Sequence, residues 1–213
     1  VSDLFPHIGR CVDDICFIDS MYTDLPEHAS GIYMMNIGHN QAIRPSLGSW
    51  LSYGLGSDAD NLPGYIVLSP GKGPRGEQSV WSNSFLPGRH AGCMIDLNGL
   101  RPGKAIANLE SRGLSLEEQR EQTNLITKLN RMHLDRRECD QQLEASIASM
   151  ELAFRMQTAV PEAFDVNAET EATRKLYGDK YFGKGCLLAR RLVERGVRMV
   201  TVNGGAGIAW ASH

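Results

Sequence analysis

The chain has 213 residues, enough for one domain with a sizeable core or for part of a larger domain. Its 22 basic and 25 acidic residues give a net charge of -3, which offers no electrostatic attraction to nucleic acid or to an anionic membrane surface. No apolar stretch approaches the ~20 residues of a membrane span. The 5 cysteines lack CxxC spacing, so neither a cysteine zinc site nor a disulfide framework is predicted. We therefore expect no nucleic-acid partner and no membrane-spanning helix.

The N-terminal part contains a short apolar run at residues 15–18, which predicts a parallel strand covered on both faces. The polar residues 19–24 would form the turn at the carboxyl end of that strand, the side on which open α/β sheets bind ligands. Residues 28–36 predict a short helix that ends at Gly38.

The most distinctive stretch is residues 44–57, which predict a turn that leads into a short helix. Leu47, Trp50 and Leu51 form one apolar face of this helix. The next apolar run, residues 65–68, predicts a buried strand.

A glycine- and proline-rich loop at residues 69–76 displays Lys72 and Arg75. Cations in such a loop could bind a phosphate, a sulfate or a carboxylate, and Arg44 is a third candidate for anion binding. The loop lacks the spacing of a P-loop, so a solvated loop without a ligand remains the alternative.

Two amphipathic helices follow from Ser115, which begins a capping box with Glu118. The first helix is predicted to run to about His133. The second is predicted to stop at Pro161. Their apolar positions are Leu125, Ile126, Leu129 and Met132 in the first helix, and Leu143, Ile147, Met150 and Phe154 in the second. The pair predicts a helical hairpin, at about residues 115–160, inserted in an α/β chain.

The C-terminal part predicts a helix at residues 186–195, a glycine cap at Gly196 and an alternating strand at residues 197–202. A helix followed at once by such a strand is the second half of a βαβ crossover, which implies a parallel sheet. The fold class is therefore α/β. Residues 203–207 form a second loop at the carboxyl end of a strand.

A metal site is predicted from two histidines, His28 and His213, because each lies in a polar loop near a predicted strand end. Asp24, together with Glu27 or Asp19, could complete the site with oxygen ligands. The alternative is that both histidines make ordinary hydrogen bonds.

No catalytic residue is identified from the sequence. Ser46 and Ser49 near a helix start could act as nucleophiles, but capping of the helix is the alternative. Arg190, Arg191 and Arg195 lie on one predicted helix, where a solvated surface is the expected role.

The chain resembles a bacterial family known as domain of unknown function 1501, which is itself similar to sulfatases and alkaline phosphatases. The resemblance covers nearly the whole chain. The stretches that carry it are residues 3–7 (DLFPH), 18–24 (IDSMYTD), 44–50 (RPSLGSW), 53–56 (YGLG), 62–64 (LPG), 151–157 (ELAFRMQ) and 186–198 (CLLARRLVERGVR).

The resemblance implies an alkaline-phosphatase-like three-layer α/β/α fold with a mostly parallel sheet, incomplete in this chain, and a divalent metal such as zinc or calcium. His28 lies where the family usually has a histidine, and residues 210–213 are similar to a Trp-Asp-x-His pattern that makes His213 a metal ligand. Ala211 replaces the aspartate of that pattern. The sulfatase signature Cys/Ser-x-Pro-Ser-Arg is also not met, because Ile43 stands at the nucleophile position.

Two hypotheses follow. The first is part of a sulfatase- or alkaline-phosphatase-like metal-dependent hydrolase that acts on a phosphate or sulfate ester, including sulfated or phosphorylated glycans. The second is a non-catalytic binding or assembly module with the same fold. The chain is expected to be one partial domain, inactive alone, that could self-associate as a homo-oligomer. The resemblance implies export or a periplasmic location.

Overall fold

The computed structural model of the protein describes Asp3 and residues 5–71, 77–99, 113–134 and 141–204. The described helices are α1 (Pro6–Arg10), α2 (His28–Ile37), α3 (Leu47–Leu55), α4 (Leu116–Leu134), α5 (Gln141–Ala163), α6 (Glu171–Tyr177) and α7 (Tyr181–Glu194). The strands are β1 (Tyr65–Ser69), β2 (Cys93–Asp96) and β3 (Met199–Val202). None of the described helices is long and apolar enough to cross a membrane.

The three strands form an open parallel sheet in the order β2-β1-β3, which confirms the α/β class and the predicted parallel pairing. Every residue of the central strand β1 is buried, as its continuous apolar run predicts. The sequence analysis missed β2, whose four residues, Cys-Met-Ile-Asp, are too few to show a period.

Helical segments cover both faces of the sheet. On one face, α5 and α7 pack against Ile66, Leu68 and Ile95. On the other face, Tyr65 and Val67 pack with residues 77–81 and with α2. The sheet is therefore an interior layer in which alternate residues of each strand serve opposite cores. The helix residues of the first core are Met156, Val160, Ala163, Leu188 and Leu192.

Helix α3 approaches the sheet with its small residues, and its Leu47 and Trp50 are exposed. Gly48 lies so close to the ring of Tyr65 that an added Cβ would sit 2.5 Å from ring carbons. Ser49 and Ser52 are also buried. The close approach of helix and ring selects small side chains, which the apolar periodicity of the sequence does not indicate.

Residues 15–18 do not form the predicted strand. They are irregular and exposed, and β1, β2 and β3 pair only with one another. An apolar run forms a strand only where a sheet edge offers partners for its backbone hydrogen bonds. Residues 15–18 have no such strand partner in the described part of the chain.

The helical hairpin begins as predicted, because Ser115 and Glu118 form the capping box. The Ser115 amide donates to the Glu118 carboxylate at 2.7 Å, and the Glu118 amide donates to Ser115 Oγ at 3.3 Å. Helix α5 continues past the predicted stop at Pro161 to Ala163. Its C-terminal turns pack in the main core, and the assignment of residues 115–160 as an inserted unit stays a prediction.

The expectation that Arg191 is a solvated surface residue was wrong. Its side chain is buried and donates to the carbonyl oxygens of Ala163 and Glu162, at 3.2 and 3.0 Å, and to the carboxylate of Glu169. It therefore satisfies carbonyl groups at the end of α5 that have no partner within the helix.

Candidate functional site

Three polar residues lie side by side where the strands end. Ser69 is in register with Asp96, and Leu68 is in register with Val202, which aligns Ser69 with Asn203. The backbone N–H of Asn203 donates to the Leu68 carbonyl oxygen at 2.9 Å, so the alignment of the two strands extends past the end of β3. Neighbouring strands lie ~4.8 Å apart. We call Asp96, Ser69 and Asn203 the carboxyl-end row.

All three residues of the carboxyl-end row belong to the same face of the sheet. Side chains alternate along a strand, so Ser69 follows Tyr65 and Val67, which pack on the α2 side. By the same alternation Asp96 follows Met94, and Asn203 follows Thr201 and Met199. The row therefore places a carboxylate, a hydroxyl and an amide on one side of one sheet edge.

Two members of the row carry buried polar atoms that have no partner among the described residues. Ser69 Oγ and Asn203 Nδ2 are each inaccessible to solvent and make no hydrogen bond to the part of the chain that the structure describes. Most buried polar groups in folded proteins are paired, because an unpaired one costs about 1–3 kcal/mol. Each of these atoms therefore lacks the hydrogen-bond partner that buried polar groups normally have, and both lie at the same end of the sheet.

Asp96 is held in place by a tight turn. Its Oδ1 accepts hydrogen bonds from the amides of Gly71 at 2.8 Å and Asn98 at 2.9 Å. Gly71 has φ +73°, a conformation that favours glycine, where the chain leaves β1. Among the described residues, both hydrogen bonds to this carboxylate reach Oδ1.

The first turn of α7 lies beside the same edge. Tyr181 donates from its hydroxyl to the carbonyl oxygen of Gly204 at 2.8 Å, just beyond the row. Further along α7, an added Cβ on Gly185 would meet Leu97 at 2.9 Å and Val202 at 3.1 Å. The absence of a side chain lets α7 pack directly on the ends of β2 and β3.

The predicted metal ligand His28 is the first residue of α2, and it lines an open pocket of about 340 Å³ with Thr23 and Glu27. Glu27 caps α2, since its carboxylate accepts from Ser30 Oγ at 2.8 Å and from the amides of Ser30 and Ala29. These hydrogen bonds, chiefly those from Ser30, hold the pKa of Glu27 below its usual value. Its oxygens are thus committed to the helix.

Within the described ranges, no three His, Cys, Asp or Glu side chains are grouped closely enough to hold a metal ion. Asp24 lies in the exposed irregular segment before α2, and Asp19 lies in the same segment. His213 lies outside the described residues. The metal site built on His28, His213 and Asp24 therefore stays a prediction.

The anion-binding candidates are divided in the same way. Lys72 and Arg75 lie outside the described residues, in the loop that follows β1 in the chain. Arg44 is exposed and donates to the carbonyl oxygen of Gly38 at 3.5 Å, at the end of α2. Gly38 has φ +64° and ends α2 as predicted.

Of the two serine candidates, Ser46 caps α3 and Ser49 joins its first turn to Ser82. Ser46 Oγ accepts from the Ser49 amide at 3.3 Å, and Ser49 Oγ donates to the Ser82 carbonyl oxygen at 3.1 Å. Both serines are buried. These contacts favour the capping alternative over a nucleophilic role.

A contact between a serine and a histidine was not predicted from the sequence. It joins Ser52 Oγ and His90 Nδ1 at 3.0 Å. Arg89 Nε donates to His90 Nε2 at 3.0 Å, so in the neutral ring the proton is on Nδ1. His90 then donates to Ser52 and cannot accept its proton. Burial, together with the charge of Arg89, lowers the pKa of His90. The contact between Ser52 and His90 therefore stabilises the fold and does not activate the serine. It could not be predicted, because the two residues are far apart in the sequence.

Comparison with known proteins gives one match. A family model described as a protein of unknown function (DUF1501) matches residues 1–213. No curated protein and no solved structure matches the chain. The match covers every residue of the chain. The chain therefore belongs to the DUF1501 family of proteins of unknown function.

Proposed function

We propose that this protein is a sulfatase- or alkaline-phosphatase-like hydrolase of phosphate or sulfate esters, with an alkaline-phosphatase-like three-layer fold and its reaction centre at the carboxyl-end row. The observation that carries the proposal is the alignment of Asp96, Ser69 and Asn203 on one face of a parallel sheet edge. Ligands of open α/β sheets bind beyond the carboxyl ends of the strands.

The row provides complementary hydrogen-bonding groups for an ester. The Ser69 hydroxyl and the Asn203 amide would donate to ester or ring oxygens of the substrate, since both have buried atoms that lack a partner among the described residues. Asp96 Oδ2 would accept from a substrate hydroxyl. Fixed donors in a site shielded from water stabilise developing negative charge better than water does, because they need no reorganisation.

Two stretches of sequence with cationic and histidine candidates follow strands that end at the same edge of the sheet. Residues 69–76, with Lys72 and Arg75, begin at the end of β1, and the stretch that includes His213 begins after β3. Lys72 or Arg75 would neutralise a phosphate or sulfate group. The proposal therefore assigns ester recognition to the row and charge neutralisation to the loops.

The described residues do not make a full metal site. Asp96 would supply one hard oxygen ligand, which suits zinc or calcium, but no described group of three ligating side chains accompanies it. A bound divalent cation would polarise the ester and activate water. The hydrogen bonds that Asp96, Ser69 and Asn203 would make to the ester do not require a bound cation.

The second candidate function is a non-catalytic binding module with the same fold. The specific observation that favours it is the lack of a three-ligand group within the described residues, together with Ala211 at the aspartate position of the family pattern. In that case the row would bind an ester without cleaving it.

A hydrolysis assay with matched variants tests the proposal. The full chain is incubated with zinc or calcium and with p-nitrophenyl phosphate or p-nitrophenyl sulfate. Against the expectation from the sequence that the chain is inactive alone, the carboxyl-end row predicts turnover, which Asp96→Asn should lower by about 100-fold, the scale at which the loss of one transition-state contact acts. Asp60→Asn, at an exposed position before β1, is the control and should keep full activity.

Two outcomes would count against the hydrolase. Turnover that Asp96→Asn leaves unchanged would exclude the row as the reaction centre. No turnover in the presence of either metal, combined with saturable binding of the ester that Asn203→Leu abolishes, would establish the binding module instead.

A further inference from the structure

We propose that a second copy of this chain covers two exposed apolar surfaces, so that the protein is a reciprocal dimer. The first surface is residues 11–24, here called the acidic segment. The second is the row of Leu125, Leu129 and Met132 on α4, here called the α4 stripe. The inference is independent of the proposed hydrolase function.

The acidic segment carries large apolar side chains that remain exposed to solvent in their own copy. All of residues 11–24 are exposed, and the exposed fraction is 52% for Phe17 and 72% for Ile18. Val12, Ile15, Met21 and Tyr22 are exposed as well. Soluble proteins seldom leave so many large apolar side chains together in water unless they bind a partner.

The α4 stripe is also exposed. Leu125, Leu129 and Met132 recur at the spacing of one helical face, with exposed fractions of 58%, 56% and 49%. Helix α4 packs against α5 with a different side, on which Ile126 is half-buried. The amphipathic pattern of α4 therefore points an apolar face away from its own hairpin.

The charges of the two surfaces are complementary. The acidic segment contains Asp13, Asp14, Asp19 and Asp24 and no lysine or arginine. Residues 122–132 of α4 contain Lys128 and Arg131 and no carboxylate. Arg131 lies 3.7 Å from Glu151 in a largely exposed and therefore weak pair. A carboxylate of the partner could approach both cations.

Charge also selects the occupant. Four aspartates would be repelled by an anionic lipid surface, so the acidic segment does not fit a membrane. Each copy carries one acidic segment and one α4 stripe, and both are exposed in the same copy. A two-fold dimer can therefore bury both surfaces twice, with the acidic segment of each copy on the α4 stripe of the other.

Light scattering after gel filtration, with sedimentation velocity across a range of concentrations, tests the dimer. We expect the full chain to be dimeric at micromolar concentration. Phe17→Glu and Leu129→Glu should each raise the dimer dissociation constant by at least ~10-fold, since each places a charge in an apolar contact. Leu176→Glu on α6, where Leu176 is 83% exposed, is the matched control and should leave the constant unchanged.

Two further measurements identify the contact itself. A mixture of the Phe17→Glu and Leu129→Glu proteins should form a heterodimer, because one intact acidic segment can still meet one intact α4 stripe. Asp14→Lys should weaken the dimer. The double variant Asp14→Lys with Lys128→Glu should associate again, whereas the double variant Asp14→Lys with Lys180→Glu should not.

The proposal is overturned if the full chain is monomeric over the whole concentration range. It is also overturned if Phe17→Glu and Leu129→Glu behave as the Leu176→Glu control does. Circular dichroism of each variant separates loss of association from loss of folding, and the exposure of all three positions predicts unchanged spectra.

Discussion

Arg191 Nε of α7 donates a hydrogen bond of 3.2 Å to the carbonyl oxygen of Ala163, the last residue of α5. The same guanidinium donates to Glu162 and pairs with Glu169, so one side chain joins two helices that pack on the same core. Hydrogen bonds to the Glu169 carboxylate, first from Arg191 and then from Arg190, hold the pKa of Glu169 below its usual value. A planar fork of donors is needed to reach all three partners at once.

The first prediction concerns this contact. Arg191→Lys should lower the free energy of unfolding by about 3 kcal/mol, because a single ammonium group leaves buried carbonyl and carboxylate oxygens unpaired. Arg190→Lys is the control, since the Arg190 side chain is 36% exposed against 7% for Arg191. Urea unfolding measures both losses. Equal losses would contradict a special role for Arg191.

The second prediction follows from a pair of glycines in α3. Gly48→Ala should cost about 2 kcal/mol, because the new Cβ would lie 2.5 Å from the ring of buried Tyr65. Gly54→Ala, in the same helix and with nothing within 4 Å of the new Cβ, should instead stabilise by about 0.5–1 kcal/mol. Thermal denaturation of the two variants should therefore move in opposite directions. A rise for both would show that α3 can shift away from β1.

The third prediction concerns acid. Burial, with the charge of Arg89, lowers the pKa of His90 in the folded protein below its ordinary value of 6.5. The unfolded chain therefore binds a proton more readily, so the stability from neutral His90 is complete above about pH 6.5 and falls as the pH drops through the two pKa values. The melting temperature should decline between pH 7.5 and 5.

A His90→Gln variant should show a weaker decline over the same interval. The low pKa of Glu169 acts at lower pH, because it contributes stability above its ordinary value of 4.5 and loses it as the pH falls through the folded value. An identical decline in the variant would assign the acid sensitivity to other groups.

The fourth prediction tests the carboxyl-end row. Ser69→Ala should raise the free energy of unfolding by about 1 kcal/mol, because it removes a buried hydroxyl that has no partner among the described residues. It should also weaken ester binding or turnover, since the same hydroxyl is assigned to the substrate. Ser49→Ala is the control, because Ser49 Oγ is hydrogen-bonded to Ser82 and its loss should destabilise. Destabilisation by Ser69→Ala would indicate that a fixed water already pairs the hydroxyl.

Local chemistry made the ends of several elements predictable. The Ser115–Glu118 capping box starts α4, and Gly38 in a left-handed conformation ends α2. The apolar run at residues 65–68 forms β1. The residues before Gly196 form α7, and those after it form β3. Capping bonds and backbone conformation depend on neighbours in the chain, so they are readable in sequence order.

The candidate site was only partly readable in the same way. The strands β1 and β3, whose ends carry Ser69 and Asn203, were predicted, but Asp96 was not recognised, because β2 is too short for a visible period. His28 and Asp24 were chosen for their residue types and their place after an expected strand at residues 15–18, which did not form. The carboxyl-end row depends on register between strands, which no local pattern contains.

By itself, the sequence determined the α/β class, the parallel pairing of β3, the starts of α2 and α4 and the family to which the chain belongs. Only the tertiary structure decided that α3 packs with Gly48 and Ser52, that Arg191 is buried, and that Asp96, Ser69 and Asn203 meet. The reason is physical. Propensity and capping act over a few residues, whereas the choice of buried face and strand register depends on contacts between residues distant in the chain.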